Sequence, residues 1–535
     1  MSRVTVFQGG RILTGDPSKP QSDTIAVADG RIISVADASV RADDVVDLAG
    51  GTLIPGFRDG HIHALWGGTE SLDAPVTDAA DLDDLIDRVR RFADANPHLD
   101  WVVGHGYPCE LLPGGVGQAA WLDAVVGDRP VALWASDHHT MWVNSRALAL
   151  ADIDAATPDP PAGQIVRDAD GHPAGTLLES AMGLVAAHVP AHGRAEKARG
   201  LRIALAQMAA AGIVWGQEAA LSPDDVDIYL DAAAAGELTA DINIALRVDA
   251  ERWRQQRGEF IDARARADKA DPPPLGRVTV RTVKVFADGV IESGTGALVD
   301  PYADDLSSRG ILNYSGDELA AAVAAFDEDG FQAHIHAIGD AGIRMALDAV
   351  ERTASRNGRR DRRAVIAHTQ LVHPDDLERF AELGVVANFE PLWACRSPVM
   401  TELTEPRLGE QRSAWQYPIA TLLRGGAPVS FGSDWPVSSM IPMEGLSVAV
   451  TRRTPQGDPP EGWLPHERLT LGEALSAYTR GSAYQGFDED TGIIAEGALA
   501  DLCLLGAPVE TIPLEELADV PVTGTWLHGT EVHRS

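Results

Sequence analysis

Gly-Phe-Arg-Asp-Gly-His-Ile-His, residues 56–63, follows a short apolar run at Leu53–Pro55. Side chains alternate between the two faces of a β-strand, so a His-x-His pair at a strand end places both imidazoles on the same face. His61 and His63 would then form half of a metal site, and Asp59 just before them would orient a ligand rather than bind metal. The remaining ligands are expected from later parts of the chain.

The middle of the chain alternates short apolar strands with alanine-rich helical stretches, a pattern typical of parallel α/β folds. Eight strands are predicted, at Leu53–His63, Gly212–Glu218, Ile242–Val248, Thr279–Asp288, Phe331–Ala337, Ala364–Thr369, Val385–Phe389 and Val429–Asp434. Helices are predicted at Ala195–Ala211, Pro223–Ala235, Ser315–Asp329, Ala341–Arg356, Pro374–Leu383 and Tyr417–Arg424. Eight βα units predict an α/β fold of the TIM (β/α)8 barrel type, in which chemistry takes place at the carboxyl ends of the strands.

Three stretches lie outside this alternation. Residues 1–54 and 488–535 read as short strands with turns, and neither could bury a core alone, so the two termini are predicted to form one small composite β-sandwich. Residues 55–487 form the predicted barrel. Within it, the stretch at about 64–190 is rich in glycine and proline, and we expect a long insertion after barrel strand 1 that covers the active site.

Charge and composition exclude several classes of partner. The 535 residues include 44 basic and 79 acidic side chains, for a net charge of −35. Nucleic acids and anionic membranes bind basic surfaces, so neither is predicted as a partner. The sequence has no run of about 18 apolar residues to span a membrane and no secretion signal at its start. Because Cys109, Cys395 and Cys503 form no Cys-x-x-Cys pair, we expect a cytoplasmic protein without a disulfide framework.

Side chains that can bind metal fall at the ends of the predicted strands. They are His61, His63, Lys284, His336, His368 and Asp434. Strand ends converge in a barrel, so we expect these six residues to surround a common cation. His334 competes with His336, two residues away on the same strand face. We favour His336 because it lies nearer the strand end, and His334 would then pack deeper or support a ligand.

Lys284 is one of four lysines in a chain that uses arginine for most of its basic side chains. Its position between Val283 and Val285 makes burial as a cation expensive and favours the neutral amine. A neutral lysine can add carbon dioxide to become an anionic carbamate that bridges two metal ions. The alternatives are a lysine on the solvent side of an edge strand and a lysine paired with Asp288.

Motifs along nearly the whole chain resemble those of the amidohydrolase superfamily, and within it the family-3 branch that includes N-substituted formamide deformylase. Besides Leu53–His63, the matching stretches are Met-Trp-Val-Asn-Ser-Arg-Ala-Leu (141–148), Val-Lys-Val-Phe-Ala-Asp-Gly (283–289), His-Ala-Ile-Gly-Asp-Ala-Gly-Ile (336–343), Ala-His-Thr-Gln-Leu-Val (367–372), Gly-Ser-Asp-Trp-Pro-Val (432–437) and Gly-Ala-Leu-Ala-Asp-Leu (497–502). The resemblance implies a TIM barrel with a β-sandwich built from both termini. It implies a metal site that uses His61, His63, Lys284, His336 and His368, with Asp434 as ligand and general base.

The expected reaction is hydrolysis of a carbon–nitrogen bond in a small molecule, in a linear amide such as an N-acyl or N-formyl amine. One or two zinc ions would activate the attacking water, and His368 or His139 would stabilise the oxyanion. Cyclic amides, carbamates and amino groups on heterocycles stay open as substrates, because the same metal set serves all of them. A catalytically silent binding protein on the same barrel is a further alternative.

The insertion is expected to supply substrate contacts. In this branch, Asp137-His138-His139 and the stretch that begins at Trp142 face the substrate, and Trp66 and other aromatic residues suit an apolar or aromatic group. Packing explains these aromatic residues equally well. A homodimer is an expectation at the level of the family.

Overall fold

The computed structural model describes residues 3–37, 39–136, 139–161 and 163–535. These residues form two sheets of eight strands and one sheet of five. The strands are β1 Thr5–Leu13, β2 Gln21–Ala28, β3 Arg31–Val35, β4 Asp44–Asp47, β5 Thr52–Pro55, β6 Phe57–Ile62, β7 Val102–Tyr107, β8 Val131–Ala135, β9 Thr140–Val143, β10 Gly163–Arg167, β11 Pro173–Glu179, β12 Ile213–Leu221, β13 Asp241–Arg247, β14 Val278–Phe286, β15 Gln332–Ala337, β16 Val365–His368, β17 Val386–Phe389, β18 Val429–Phe431, β19 Leu502–Leu505, β20 Val522–Leu527 and β21 Thr530–Arg534.

Helices follow most of the barrel strands and begin and end at recognisable residues. The α-helices are α1 Ala64–Glu70, α2 Leu82–Ala95, α3 Ala119–Asp123, α4 Ser145–Leu150, α5 Met182–Ala186, α6 Arg194–Ala210, α7 Val226–Ala234, α8 Trp253–Lys269, α9 Gly316–Glu328, α10 Asp340–Asn357, α11 Leu377–Leu383, α12 Glu405–Ser413, α13 Ile419–Arg424, α14 Pro442–Thr451, α15 Leu471–Ser476 and α16 Ser482–Gln485. Ser315 caps α9, and Thr470 with Glu473 forms a capping box at α15. Gly384, in the left-handed region, ends α11.

The barrel sheet contains only parallel pairs in the order β6-β12-β13-β14-β15-β16-β17-β18. This confirms the predicted TIM barrel. Backbone hydrogen bonds just beyond β18 bring its end against β6: the amide of Asp434 donates to the carbonyl of His61 (2.7 Å), and that of His63 donates to the carbonyl of Trp435 (2.9 Å). The first and last strands of the barrel therefore meet at two of the predicted ligands.

The first predicted strand, Leu53–His63, is two strands in the structure. The amide of Gly56 donates to Asp501 (2.8 Å), next to the terminal sheet, whereas the next amide, that of Phe57, donates to Gly212 (3.0 Å) before β12. A side chain at position 56 would overlap Val214, since its Cβ would lie 2.5 Å from a methyl group. Glycine at position 56 therefore allows the chain to pass directly from β5 of the terminal sheet to β6 of the barrel.

The terminal sheet combines strands from both ends of the chain. Its order is β21-β20-β19-β5-β1-β2-β3, with β4 paired to β1. Phe7, Leu53 and Leu502 are among its buried apolar residues, and Phe7 packs edge-on against Trp526 with ring centroids 5.1 Å apart. The prediction of a composite β-structure from both termini is confirmed, and the described strands of the predicted β-sandwich belong to one eight-stranded sheet.

The chain divides into two compact units, Met1–Ala64 with Ala204–Ser535, and Leu65–Ile203. The second unit contains the sheet β10-β11-β9-β8-β7 and a core that includes Val102, Leu133 and Trp142. Most of the stretch predicted as an insertion falls within this unit. Among the described helices, none combines the length and apolar character that crossing a membrane requires.

Candidate metal centre

The predicted ligands from distant parts of the sequence meet at the carboxyl ends of the barrel strands. The amine Nζ of Lys284 lies 3.0 Å from Nε2 of His61. The carboxylate oxygen Oδ1 of Asp434 lies 3.1 Å from Nε2 of His63 and 3.4 Å from Nε2 of His61. The ring of His368 is centred 4.7 Å from that of His61. Lys284 is 1% exposed, so the alternative of a solvent-facing lysine is excluded.

The two histidines of β15 have different surroundings. His334 is fully buried, and its Nε2 lies 3.0 Å from Nδ1 of His61, which leaves Nε2 of His61 directed at the other ligands. His336 lies nearer the strand end, with its ring 4.6 Å from that of His368 and its Nε2 3.1 Å from the carbonyl oxygen of Gly289. His334 therefore packs beneath His61, as expected of a residue that supports a ligand.

Asp59 joins the first barrel strand to the loop after the last one. It accepts hydrogen bonds from the amide of His61 (3.0 Å) and from the amide (3.0 Å) and hydroxyl (2.6 Å) of Ser433. Burial raises its pKa to about 7. These contacts hold the backbone beside His61 and Asp434 in place, which agrees with an orienting role.

Asp288 does not pair with Lys284. Its carboxylate accepts hydrogen bonds from the amides of Ala297 (2.9 Å), Ile338 (3.0 Å) and Gly339 (2.9 Å) and thereby ties together the loops that follow β14 and β15. Of the alternatives considered for Lys284, the ion pair with Asp288 is therefore also excluded.

Burial sets the charge states of the site. It lowers the pKa values of His61, His334 and His336 well below the usual value of 6.5, and it lowers that of His368 to about 3. The pKa of Lys284 falls to about 8 for the same reason. These four imidazoles are therefore neutral near pH 7, and neutral imidazole is the form that binds metal.

Glu390 also belongs to this cluster, although the sequence analysis did not identify it. It directly follows β17, is 0% exposed, and places Oε2 3.0 Å from Nδ1 of His368. Burial raises its pKa well above the usual value. The signal that marks the other residues, a polar side chain at a barrel strand end, is also present in Phe389-Glu390-Pro391, although no histidine accompanies it there.

The donor set fits a divalent metal ion. Two groups of side chains, His61 with His63 and Asp434, and His61 with His368 and Glu390, each bring their ligand atoms within 4.8 Å of one another. The oxygen Oε1 of Glu390 is buried and has no hydrogen-bond partner among the described residues. A cation nearby would compensate that buried carboxylate. Imidazole nitrogens with carboxylate oxygens are ligands that zinc accepts.

The residues predicted to contact substrate from the insertion lie in the second unit. Trp142 is fully buried, with its ring 6.1 Å from those of Tyr107 and Trp121, and its indole N–H donates to the carbonyl of Gln118 (3.1 Å). These contacts are those of a core residue, which was the alternative explanation of the aromatic residues. Nothing in them supports a substrate contact for Trp142.

The other two residues have polar partners. Nδ1 of His139 lies 3.0 Å from Oε2 of Glu179, and the indole N–H of Trp66 donates to Glu70 (2.6 Å). Trp66 is 40% exposed. Substrate contacts by His139 and Trp66 stay predictions. Asp137 and His138 lie outside the described residues.

Solved structures with the same fold cover nearly the whole chain. A metal-dependent hydrolase of Pyrococcus horikoshii aligns with 96% of this chain and 99% of its own, at 22% identity and a TM-score of 0.76. The atrazine chlorohydrolase TrzN of Arthrobacter aurescens, solved with zinc, covers 99% and 95%, at 15% identity and a TM-score of 0.55. These similarities show a shared fold.

Sequence comparisons cover a similar extent. The protein LONG AFTER FAR-RED 3 of Arabidopsis thaliana is 29% identical over 93% of this chain and 86% of its own. N-substituted formamide deformylase of Arthrobacter pascens is 27% identical over 98% of each chain. A family model described as "Amidohydrolase family" matches residues 44–533. With the barrel and the strand-end residues in place, this match shows that the chain belongs to the amidohydrolase family.

Proposed function

We propose that this protein is a metal-dependent hydrolase that cleaves the carbon–nitrogen bond of a linear amide, an N-acyl or N-formyl amine. The observation that carries the proposal is the meeting of neutral imidazoles, a buried lysine and Asp434 at the carboxyl ends of the barrel strands. The similarity to N-substituted formamide deformylase over nearly the whole chain supports an amide as substrate.

The residues that would hold the metal are His61, His63, Lys284, His336, His368 and Asp434. We propose one or two zinc ions, with Lys284 as a carbamate if two are bound. A bound divalent ion supplies Lewis acidity, which polarises a carbonyl group and lowers the pKa of water toward neutrality.

Asp434 is the proposed general base. Burial alone would raise its pKa, but the hydrogen bond with His63 and the electrostatic interactions with His368, His63 and Lys284 outweigh that effect, so its pKa is lowered. Asp434 is therefore ionised at neutral pH. It can accept the proton of the attacking water at Oδ1 and return it to the leaving nitrogen. We assign His368 a part in catalysis because its ring borders the same space.

The experiment compares Asp434→Asn with the parent protein, both loaded with zinc, on an N-formyl amine. Loss of a general base typically costs about 10²–10⁴-fold in rate, so we expect kcat to fall by at least about 100-fold while the circular dichroism spectrum is unchanged. Asp300→Asn, a change at an exposed carboxylate, is the matched control and should retain parent activity. Full activity of Asp434→Asn would refute the base role. Turnover of cyclic amides or amino-heterocycles, with none of N-formyl amines, would refute the linear amide.

A further inference from the structure

The ring of His368 is held on an edge and on a face by residues that follow β17. Oε2 of Glu390 lies 3.0 Å from its Nδ1, at the ring edge. The indole of Trp393 stacks on the ring, with centroids 5.6 Å apart and planes only 7° from parallel. The short turn at Pro391–Trp393 therefore places both residues against one predicted ligand.

This pair is itself anchored to the loop that carries Asp434. The indole N–H of Trp393 donates to the hydroxyl of Ser438 (2.9 Å), which in turn donates to the carbonyl of Ser433 (2.6 Å). Ser433 precedes Asp434 in the chain. The position of the His368 ring is thus linked through two hydrogen bonds to the backbone beside the proposed base.

The backbone at His368 also needs external support. His368 has φ = 73° and the next residue, Thr369, has φ = 41°, so two consecutive non-glycine residues lie in the left-handed region. Such conformations cost free energy and persist where surrounding contacts hold them, commonly at functional sites. Glu390 and Trp393 provide such contacts, since both hold the imidazole ring of His368.

The hydrogen bond at Nδ1 decides which ring nitrogen is open to a metal. A divalent cation nearby would keep the Glu390 carboxylate ionised, and an ionised carboxylate only accepts hydrogen bonds. The proton of the neutral ring then lies on Nδ1 and the lone pair lies on Nε2. In known metal sites, a histidine ligand commonly donates its second ring N–H to a carboxylate in this way, and loss of that partner weakens metal binding about 10–100-fold.

We propose that Glu390 is a positioning residue that, through Nδ1 of His368, selects the tautomer and ring orientation in which Nε2 binds the metal. The inference rests on the proposed function to the extent that it requires a metal ion at this site. The competing role, in which Glu390 is itself a ligand, predicts a different outcome in the experiment that follows.

The experiment measures zinc affinity of Glu390→Gln by competition with a chromophoric chelator. We expect affinity about 10–100-fold below that of the parent with the same number of zinc ions bound at saturation. In the cobalt-substituted protein, we expect a shifted visible absorption spectrum, because the His368 ring would bind the metal in a changed orientation. A structural change away from the metal would leave that spectrum unchanged. Glu467→Gln is the matched control, since Glu467 is also buried but accepts from the amide of Thr421 (2.9 Å), and it should behave as the parent.

Combining Glu390→Gln with a second substitution, His368→Ala, tests whether Glu390 affects zinc affinity through His368. If Glu390 acts through His368, Glu390→Gln should have no further effect on zinc affinity in a His368→Ala protein. An equal loss in both backgrounds, or parent-like affinity and cobalt spectrum in Glu390→Gln alone, overturns the inference. Loss of one whole zinc equivalent at saturation also overturns it, because that result identifies Glu390 as a ligand.

Two further outcomes separate this inference from the proposed function. If Glu390→Gln does not fold, Glu390→Asp takes its place: the carboxylate is retained but withdrawn by one methylene, so weaker zinc binding is expected and unchanged binding overturns the inference. A parent protein that binds zinc but hydrolyses no amide refutes only the proposed substrate, since zinc affinity and the cobalt spectrum need no substrate.

Discussion

At the scale of single residues, Lys284 shows how burial creates reactivity. Its amine lies 3.0 Å from His61 and 5.0 Å from the ring centroid of Phe286, and the side chain is buried. Burial lowers its pKa to about 8, so the neutral fraction of the amine rises as the pH rises through about 8. Only the neutral amine adds carbon dioxide, with loss of one proton, to form a carbamate.

We predict that zinc-loaded protein prepared with ¹³C-bicarbonate shows a carbamate carbon in its ¹³C NMR spectrum and that Lys284→Met does not. We also expect Lys284→Met to lose more than about 100-fold in zinc affinity, which is the upper end of the cost of losing an outer partner. Lys269→Met, at an exposed lysine, should match the parent in both measurements. A parent spectrum without the carbamate signal would exclude the bridging role.

At the scale of elements, the site depends on close contact between the first and last barrel strands. Gly432 directly follows β18, and its amide donates to the carbonyl of Phe389 (2.9 Å) in β17. A Cβ atom at this position would lie 2.6 Å from the backbone nitrogen and 2.9 Å from Cβ of His61. Even one methyl group here would push β6 away from the end of β18.

We predict that Gly432→Ala lowers the free energy of unfolding by about 1–3 kcal/mol, the usual cost of overpacking, and weakens zinc binding, because His61 and Asp434 move apart. Urea denaturation and chelator competition measure the two effects. Gly472→Ala in α15 is the control: open space surrounds that position, and alanine in a helix should be neutral or stabilising by about 0.5–1 kcal/mol. Parent-like zinc affinity in Gly432→Ala would contradict the dependence on strand contact.

At the scale of the whole molecule, an ion cluster joins the barrel to the terminal sheet. Asp241, the first residue of β13, contacts Arg277 at 2.6 Å and Nε2 of His528 at 3.2 Å, and His528 lies in the turn between β20 and β21. Burial would raise the pKa of Asp241, but the hydrogen bond and charge of His528 and the charge of Arg277 lower it to about 2. Although burial opposes it, the bond with Asp241 raises the pKa of His528 above 6.5.

We predict that Asp241→Asn lowers the free energy of unfolding by about 1.5–3 kcal/mol, the range for hydrogen bonds to charged groups. The carboxylate contribution is present above pH 3.8 and is lost as the pH falls toward 2. The imidazolium contribution is fully present below pH 6.5 and is lost as the pH rises through the raised pKa of His528. The urea midpoints of parent and variant should thus differ most between about pH 3.8 and pH 6.5, where both contributions are present. A difference that grows in alkaline solution would contradict this account.

The sequence by itself determined the barrel and its candidate ligands. Strand and helix periodicity is a local property, so the eight strands could be located within a few residues, and the rule that barrel strand ends converge brought His61, Lys284, His368 and Asp434 together. Position along the strand favours His336 over His334 as the ligand, and this choice stays a prediction, because His336 lies beside His368 whereas His334 contacts His61. All of this follows from short stretches of chain and the geometry of one fold.

Only the tertiary structure decided which groups face each other. The contact of Glu390 with His368 depends on two neighbouring strands and on the turn after one of them, and the burial of Trp142 depends on residues packed from several elements. The division of Leu53–His63 into two strands follows from the partners of Gly56 and Phe57, which are Asp501 and Gly212, far along the chain. Such contacts join residues distant in sequence, and no local pattern encodes their distances or directions.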